Sequence, residues 1–224
     1  MLLDHVGIFL FPQIPILRIL GRISFPIFSF MVAEGCRYTH NKMRYFITIF
    51  GLGIIFQVFY VLFSKTLELN VFITFSLSII SVYSLQFFQK TLYDGTVLKK
   101  CLSAFIFLIV VVGIFFLNKV FIIHYSFAGC ILPVFASCFY NSANKETSKI
   151  VKTMDSIPFR VAFFVIGLLF VVLTYKGIQI YSLFSIPLLL LYSGKRGKRK
   201  MKYFYYVFFP AHIVILQILA QILL

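Results

Sequence analysis

The chain has 224 residues, of which 61% are hydrophobic and only 12% are charged, and its formal net charge is +15. Its mean hydropathy of +1.00 lies far outside the range of soluble globular proteins. These values exclude an ordinary water-soluble domain. They predict an all-α fold, a polytopic integral membrane protein with a single transmembrane domain over residues 1–224.

The first predicted element is a short apolar helix over residues 1–17, which Pro12 and Pro15 disrupt. A spanning helix needs about 20 residues, so we expect a truncated helix here, with Met1 an internal methionine and the native reading frame starting about 15 residues upstream. About eight full transmembrane helices follow. They are predicted near residues 19–36, 45–64, 70–89, 101–118, 120–140, 159–175, 177–193 and 203–224.

The basic residues are unevenly distributed between the loops. Most of the 21 Lys and Arg residues lie in every second loop, and loops rich in Lys and Arg are cytoplasmic by the positive-inside rule. The sequence therefore predicts a multi-pass protein of the bacterial cytoplasmic membrane whose C-terminus lies outside. Because the positive charge mainly encodes this topology, we expect the lipid bilayer, and no nucleic acid, as a partner.

The densest basic run extends from Lys195 to Lys202, directly before the last predicted helix. A topology determinant is the simplest interpretation of this run. Two other hypotheses remain open. The run can attract anionic lipid headgroups, or Lys195, Arg196 and Lys198 can bind the phosphates of a cytoplasmic cofactor.

The adjacent pair Asp4 and His5 stands in an otherwise apolar segment. Ionisable side chains in apolar spans usually face the interior of the helix bundle and mark a functional path. Neighbouring residues on a helix point in different directions, so each member of the pair needs its own partner. Arg22 is the natural charge partner of Asp4, which leaves His5 to exchange a proton as a general base. Asp4, His5 and Arg22 are therefore the catalytic candidates.

Glu34, Tyr205 and His212 are candidates to bind substrate or to line its path. Tyr205 and His212 are seven residues apart and share one face of the last predicted helix. A lone histidine in an apolar helix is, however, more often a hydrogen-bonded structural residue. Glu34 has Arg37 three residues further on as an ion-pair partner. Structural roles therefore remain open for these residues.

Sequence blocks at both ends of the chain resemble the TraX family of membrane proteins in order and spacing. The opening blocks read MLLDHVG at residues 1–7, LGRISFPIFSF at 20–30 and VAEGCRYT at 32–39. The closing blocks read LYSGKRG at 191–197 and KYFYYVFFPAH at 202–212. The middle of the chain resembles the family in hydropathy more than in letters.

The resemblance implies a membrane-embedded acyltransferase, related to the acyltransferase-3 group, with acetyl-CoA as the cytoplasmic donor substrate and no metal. The family's founding members acetylate the N-terminus of conjugative pilin subunits, so a pilin-like protein is the implied acceptor. Under this interpretation His5 acts as the base or as a transient acyl carrier. Arg22 stabilises a developing oxyanion or a phosphate, and His212 lines the path.

Other functions remain compatible with these residues. An acetyltransferase of this kind can act on a cell-surface glycan instead of a protein. A non-enzymatic transporter or flippase can move a polar or anionic solute past Arg22 and His212. A structural subunit of a secretion complex would need none of these side chains for chemistry.

Overall fold

The computed structural model describes residues 1–64, 68–139, 149–195 and 202–223. These residues form helices and loops, with an isolated parallel bridge between Leu69 and Ile123. The all-α prediction is confirmed, in keeping with the ability of a helix to satisfy its own backbone hydrogen bonds in lipid. The elements are α1 (Leu2–Phe9), α2 (Pro15–Arg22), α3 (Ser24–Tyr38), α4 (Lys42–Ser64), α5 (Val71–Asp94), α6 (Val97–Val120), α7 (Ser126–Ala136), α8 (Lys149–Met154), α9 (Ile157–Tyr175), a 3₁₀ helix (Gly177–Phe184), α10 (Ser185–Leu190) and α11 (Lys202–Leu223).

Among the described residues, five helical stretches are long and apolar enough to cross a membrane. They are Pro15–Tyr38, Lys42–Leu62, Val71–Tyr93, Val97–Val120 and Ile157–Tyr175. Three shorter apolar helical stretches accompany them, Ser126–Ala136, Gly177–Leu190 and Ala211–Leu223.

The predicted count of about eight full spans is therefore not confirmed. The predicted span 120–140 is shortened because Tyr125 and Ser126, at the start of α7, have positive φ values of 62° and 45°. The predicted span 177–193 is divided between the 3₁₀ helix and α10. Hydropathy alone does not detect either interruption.

The chain divides into two compact units. The terminal unit comprises Met1–Phe28 and Val172–Leu224, and the central unit comprises Ser29–Val171. The borders fall inside α3 and α9. Each unit is held together by its own contacts.

In the terminal unit, α1 packs against α2 and α11, and α2 also packs against the 3₁₀ helix. Glycines permit the close approach of α1 and α2. A Cβ atom on Gly21 would lie 2.3 Å from Cβ of Asp4, and one on Gly7 would lie 3.0 Å from Cγ of Arg18. This close packing brings the polar side chains of α1 within reach of those on α2.

In the central unit, α5 contacts α4, α6 and α7. The side chain of Asn70 caps the N-terminus of α5 by accepting from the backbone N–H groups of Phe72 and Ile73. Buried serines of α5 each donate to a carbonyl of the same helix at 2.8–3.0 Å, which satisfies their hydroxyls internally. They are Ser76, Ser78, Ser81 and Ser84.

Glu34 and Arg37 each bond to a residue far along the chain, in addition to any interaction with one another along α3. Within the central unit, Arg160 donates to Glu34, and both side chains are 5% exposed. Arg37 donates through both terminal nitrogens to the carboxylate of Asp155. The sequence predicted only a local Glu34–Arg37 ion pair and did not reveal these long-range partners. They attach α3 to α9 and to the turn preceding α9.

Candidate active site

The first element of the candidate site is the expected ion pair between α1 and α2. Nη2 of Arg22 donates to Oδ1 of Asp4 at 3.0 Å. Their side chains are only 16% and 15% exposed, so the pair is largely removed from solvent. The carboxylate therefore fixes the position of the guanidinium at the contact of α1 with α2.

The second element is a histidine pair that joins the two ends of the chain. Nδ1 of His5 lies 3.0 Å from Nε2 of His212, although the residues are 207 positions apart. His212 is buried on α11, whereas His5 is partly exposed on α1. The contact of α1 with α11 holds the two rings with their centroids 5.1 Å apart.

The hydrogen bonds of His212 determine which nitrogen of each ring carries a proton. Nδ1 of His212 lies 2.8 Å from the carbonyl oxygen of Phe208, and a carbonyl only accepts, so this nitrogen must carry the proton. In a neutral ring Nε2 of His212 is then an acceptor, and Nδ1–H of His5 donates to it. Nε2 of His5 consequently carries a lone pair, which is what a general base or a nucleophile requires.

The remaining sequence candidates are Glu34, Lys195, Arg196, Lys198 and Tyr205. Glu34 belongs to the central unit, where it pairs with Arg160. Lys195 is exposed after α10. Arg196 and Lys198 lie outside the described residues, as does the side chain of Tyr205. The terminal unit therefore brings together Asp4, His5, Arg22 and His212, and the catalytic and binding roles of all the candidates stay predictions.

Sequence reasoning missed a polar stripe on the 3₁₀ helix and the start of α10. Gln179, Ser182 and Ser185 are buried, and among the described residues Nε2 of the glutamine and both hydroxyls have no hydrogen-bond partner. The spacing of three residues is the signal that would have revealed it, because side chains three apart align on a 3₁₀ helix. Buried polar groups usually find partners, so this stripe needs an explanation.

Gly21 offers a direct test of the packing that supports the ion pair. We expect Gly21→Ala to lower the free energy of unfolding by about 1–3 kcal/mol, because the added Cβ overlaps Asp4 and forces α1 and α2 apart. Denaturant titration of the protein in detergent micelles measures this. Gly51→Ala is the matched control, because a Cβ there meets nothing within 4 Å. Equal stabilities of the two variants would contradict the packing.

The sequence profile described as "TraX protein" matches residues 1–220. The chain belongs to the TraX family. The match includes both ends of the chain, and therefore covers all the residues that form the ion pair and the histidine pair. A TraX chain of this composition, with helices of this length, is a helical membrane protein.

A second similarity covers a smaller part of this TraX chain. An uncharacterized protein of Rickettsia prowazekii (strain Madrid E) is 34% identical over 84 residues, which is 37% of the chain and 32% of the relative. The match thus spans about a third of that relative's length. No solved structure matches the chain.

Proposed function

We propose that the chain is a membrane-embedded acetyltransferase that transfers acetyl from acetyl-CoA to an amine or hydroxyl acceptor. The observation that carries the proposal is the His5–His212 hydrogen bond, because it leaves a lone pair on Nε2 of His5. A base held in position by a second group is the arrangement that acyl-transfer enzymes use to activate an acceptor.

His5 acts as the general base in the transfer. Its Nε2 takes the proton of the acceptor N–H or O–H while the acceptor atom attacks the thioester carbonyl and forms the new C–N or C–O bond. The C–S bond then breaks, and the departing thiolate receives the proton from the His5 imidazolium. His212 holds the tautomer and orientation of His5 throughout, with Phe208 as the final acceptor of the hydrogen-bond chain.

Arg22 stabilises the negative charge that develops on the carbonyl oxygen during attack. A largely buried guanidinium is effective here, because its attraction to the oxyanion is weakly screened. Asp4 acts as a positioning residue that holds Arg22 through the 3.0 Å hydrogen bond. The ion pair and the histidine pair thus have separate tasks.

Membership of the TraX family supports the N-terminal amine of a pilin-like protein as the acceptor, with a cell-surface glycan as the alternative. The donor binds from the cytoplasmic side, where the positive-inside rule places the basic loops, and Lys195, Arg196 and Lys198 contact its phosphates. The protein lies in the bacterial cytoplasmic membrane with its C-terminus outside.

Acetyl transfer in reconstituted vesicles tests the proposal. The full chain is incubated with radiolabelled acetyl-CoA and two acceptor sets, peptides with a free N-terminus and hydroxyl-bearing glycans. We expect label in one acceptor fraction at a rate that depends on the protein concentration. Folded protein that labels no protein, glycan or lipid fraction would overturn the acetyltransferase, and solute flux unaffected by CoA would point to a transporter.

A further inference from the structure

The 3₁₀ helix and the start of α10 bury a stripe of polar side chains and expose apolar ones. Gln179, Ser182 and Ser185 are 4%, 0% and 0% exposed, whereas three apolar residues between them are exposed. These exposed residues are Ile180, Tyr181 and Phe184. In a membrane protein, polar side chains directed inward mark functional surfaces.

The serines of this stripe differ from the structural serines of the same chain. In α5 each buried serine hydroxyl donates to a carbonyl of its own helix. Oγ of Ser182 and Oγ of Ser185 have no such bond, and neither has Nε2 of Gln179. The local backbone therefore does not account for these groups.

We propose that Gln179, Ser182 and Ser185 form a hydrogen-bonding ladder that binds the amide-bearing arm of the acyl donor. The proposal rests on the acetyltransferase function above and names the part of the donor that this segment recognises.

The chemistry of the ladder matches that part of the donor. Its groups are uncharged, one amide N–H donor and two hydroxyls that donate or accept. The repeat of three residues on a 3₁₀ helix places them about 6 Å apart along one line. A slender chain with secondary amides at intervals, as in pantetheine, offers carbonyl and N–H groups to such a line without requiring a counter-charge.

The position of the ladder also fits a donor with phosphates at one end and a thioester at the other. After Ser185 the chain continues through α10 to Lys195, where a run of basic residues begins. At the other side the 3₁₀ helix packs against α2, and α2 packs against α1, which carries His5. In the sequence the ladder thus precedes the basic run proposed to bind the phosphates, and in the structure it adjoins α2, which packs against the helix that carries His5.

Equilibrium binding to the full chain in nanodiscs tests the ladder independently of transfer. The probes are desulfo-CoA, pantetheine and adenosine bisphosphate, the last of which lacks the amide arm. The test variant combines Gln179→Leu, Ser182→Ala and Ser185→Ala. The control combines Ser78→Ala and Ser81→Ala, which remove buried hydroxyls that are bonded within α5.

We expect the ladder variant to bind desulfo-CoA and pantetheine about tenfold more weakly or worse, and adenosine bisphosphate as wild type does. Its Tm should be unchanged or higher, because the replacements remove buried polar groups that lack partners. The control should bind all probes normally.

The proposal would be overturned if the ladder variant bound pantetheine as tightly as wild type does. It would also be overturned if the variant lost as much affinity for adenosine bisphosphate as for desulfo-CoA. A raised KM for the acceptor with normal pantetheine binding would overturn it as well. If the ladder variant loses pantetheine but wild type transfers acetyl to no acceptor, the acetyltransferase fails while the ladder stands. If wild type transfers acetyl but the ladder variant binds pantetheine as wild type does, the ladder fails while the acetyltransferase stands.

Discussion

His5→Ala is expected to lower the rate of acetyl transfer by about 10²- to 10⁴-fold, the usual contribution of a positioned general base. The cause is the loss of Nε2 of His5, the atom that carries the lone pair when Nδ1–H of His5 donates to His212. Folding should persist, because His5 is partly exposed on a short helix. Initial rates with labelled acetyl-CoA at saturating donor measure the effect.

His40→Ala is the matched control for this loss. His40 is exposed between α3 and α4, and it belongs to neither the ion pair nor the histidine pair. We expect it to transfer acetyl at the wild-type rate. A His5→Ala protein that retains the wild-type rate would remove His5 from the chemistry.

Arg160→Ala is expected to produce the largest loss of stability, about 3–5 kcal/mol, because it leaves the carboxylate of Glu34 buried without its counter-charge. It also removes the Nε bond to the carbonyl of Ala136 at 3.2 Å and the guanidinium packed 5.4 Å from the centre of the Phe30 ring. Denaturant titration in micelles measures the free energy of unfolding.

Two further variants identify the source of that loss. Arg44→Ala removes an exposed arginine from the first turn of α4 and should change stability by less than about 0.5 kcal/mol. Combining Arg160→Met with Glu34→Leu removes both charges and should recover most of the stability. A double variant as unstable as Arg160→Ala would show that the buried charge is not the cause.

The sequence predicted the features that follow from composition and local charge. The apolar composition indicates a membrane protein, and its apolar runs of about 20 residues indicate helices. The Asp4–Arg22 pair was predictable because an acid in an apolar segment needs a cation, and Arg22 is itself an ionisable residue inside an apolar helix.

The histidine pair was not predictable from residue spacing, because 207 positions separate His5 from His212 and nothing local links α1 to α11. The same reason hid the pairing of Arg160 with Glu34, which are 126 positions apart. The count of spans failed for another reason. Hydropathy depends on composition alone. The left-handed Tyr125 and the 3₁₀ helix Gly177–Phe184 interrupt apolar stretches without changing their composition.

A double-mutant cycle on the histidine pair tests the central claim most directly. The initial rate of acetyl transfer is measured for wild type, His5→Ala, His212→Ala and the variant with both replacements. If His212 acts only through His5, the double variant should be no slower than His5→Ala alone, because residues that act as one unit are not additive. Losses that multiply, or a His212→Ala protein as fast as wild type, would contradict a base held in place by the 3.0 Å contact of His5 with His212.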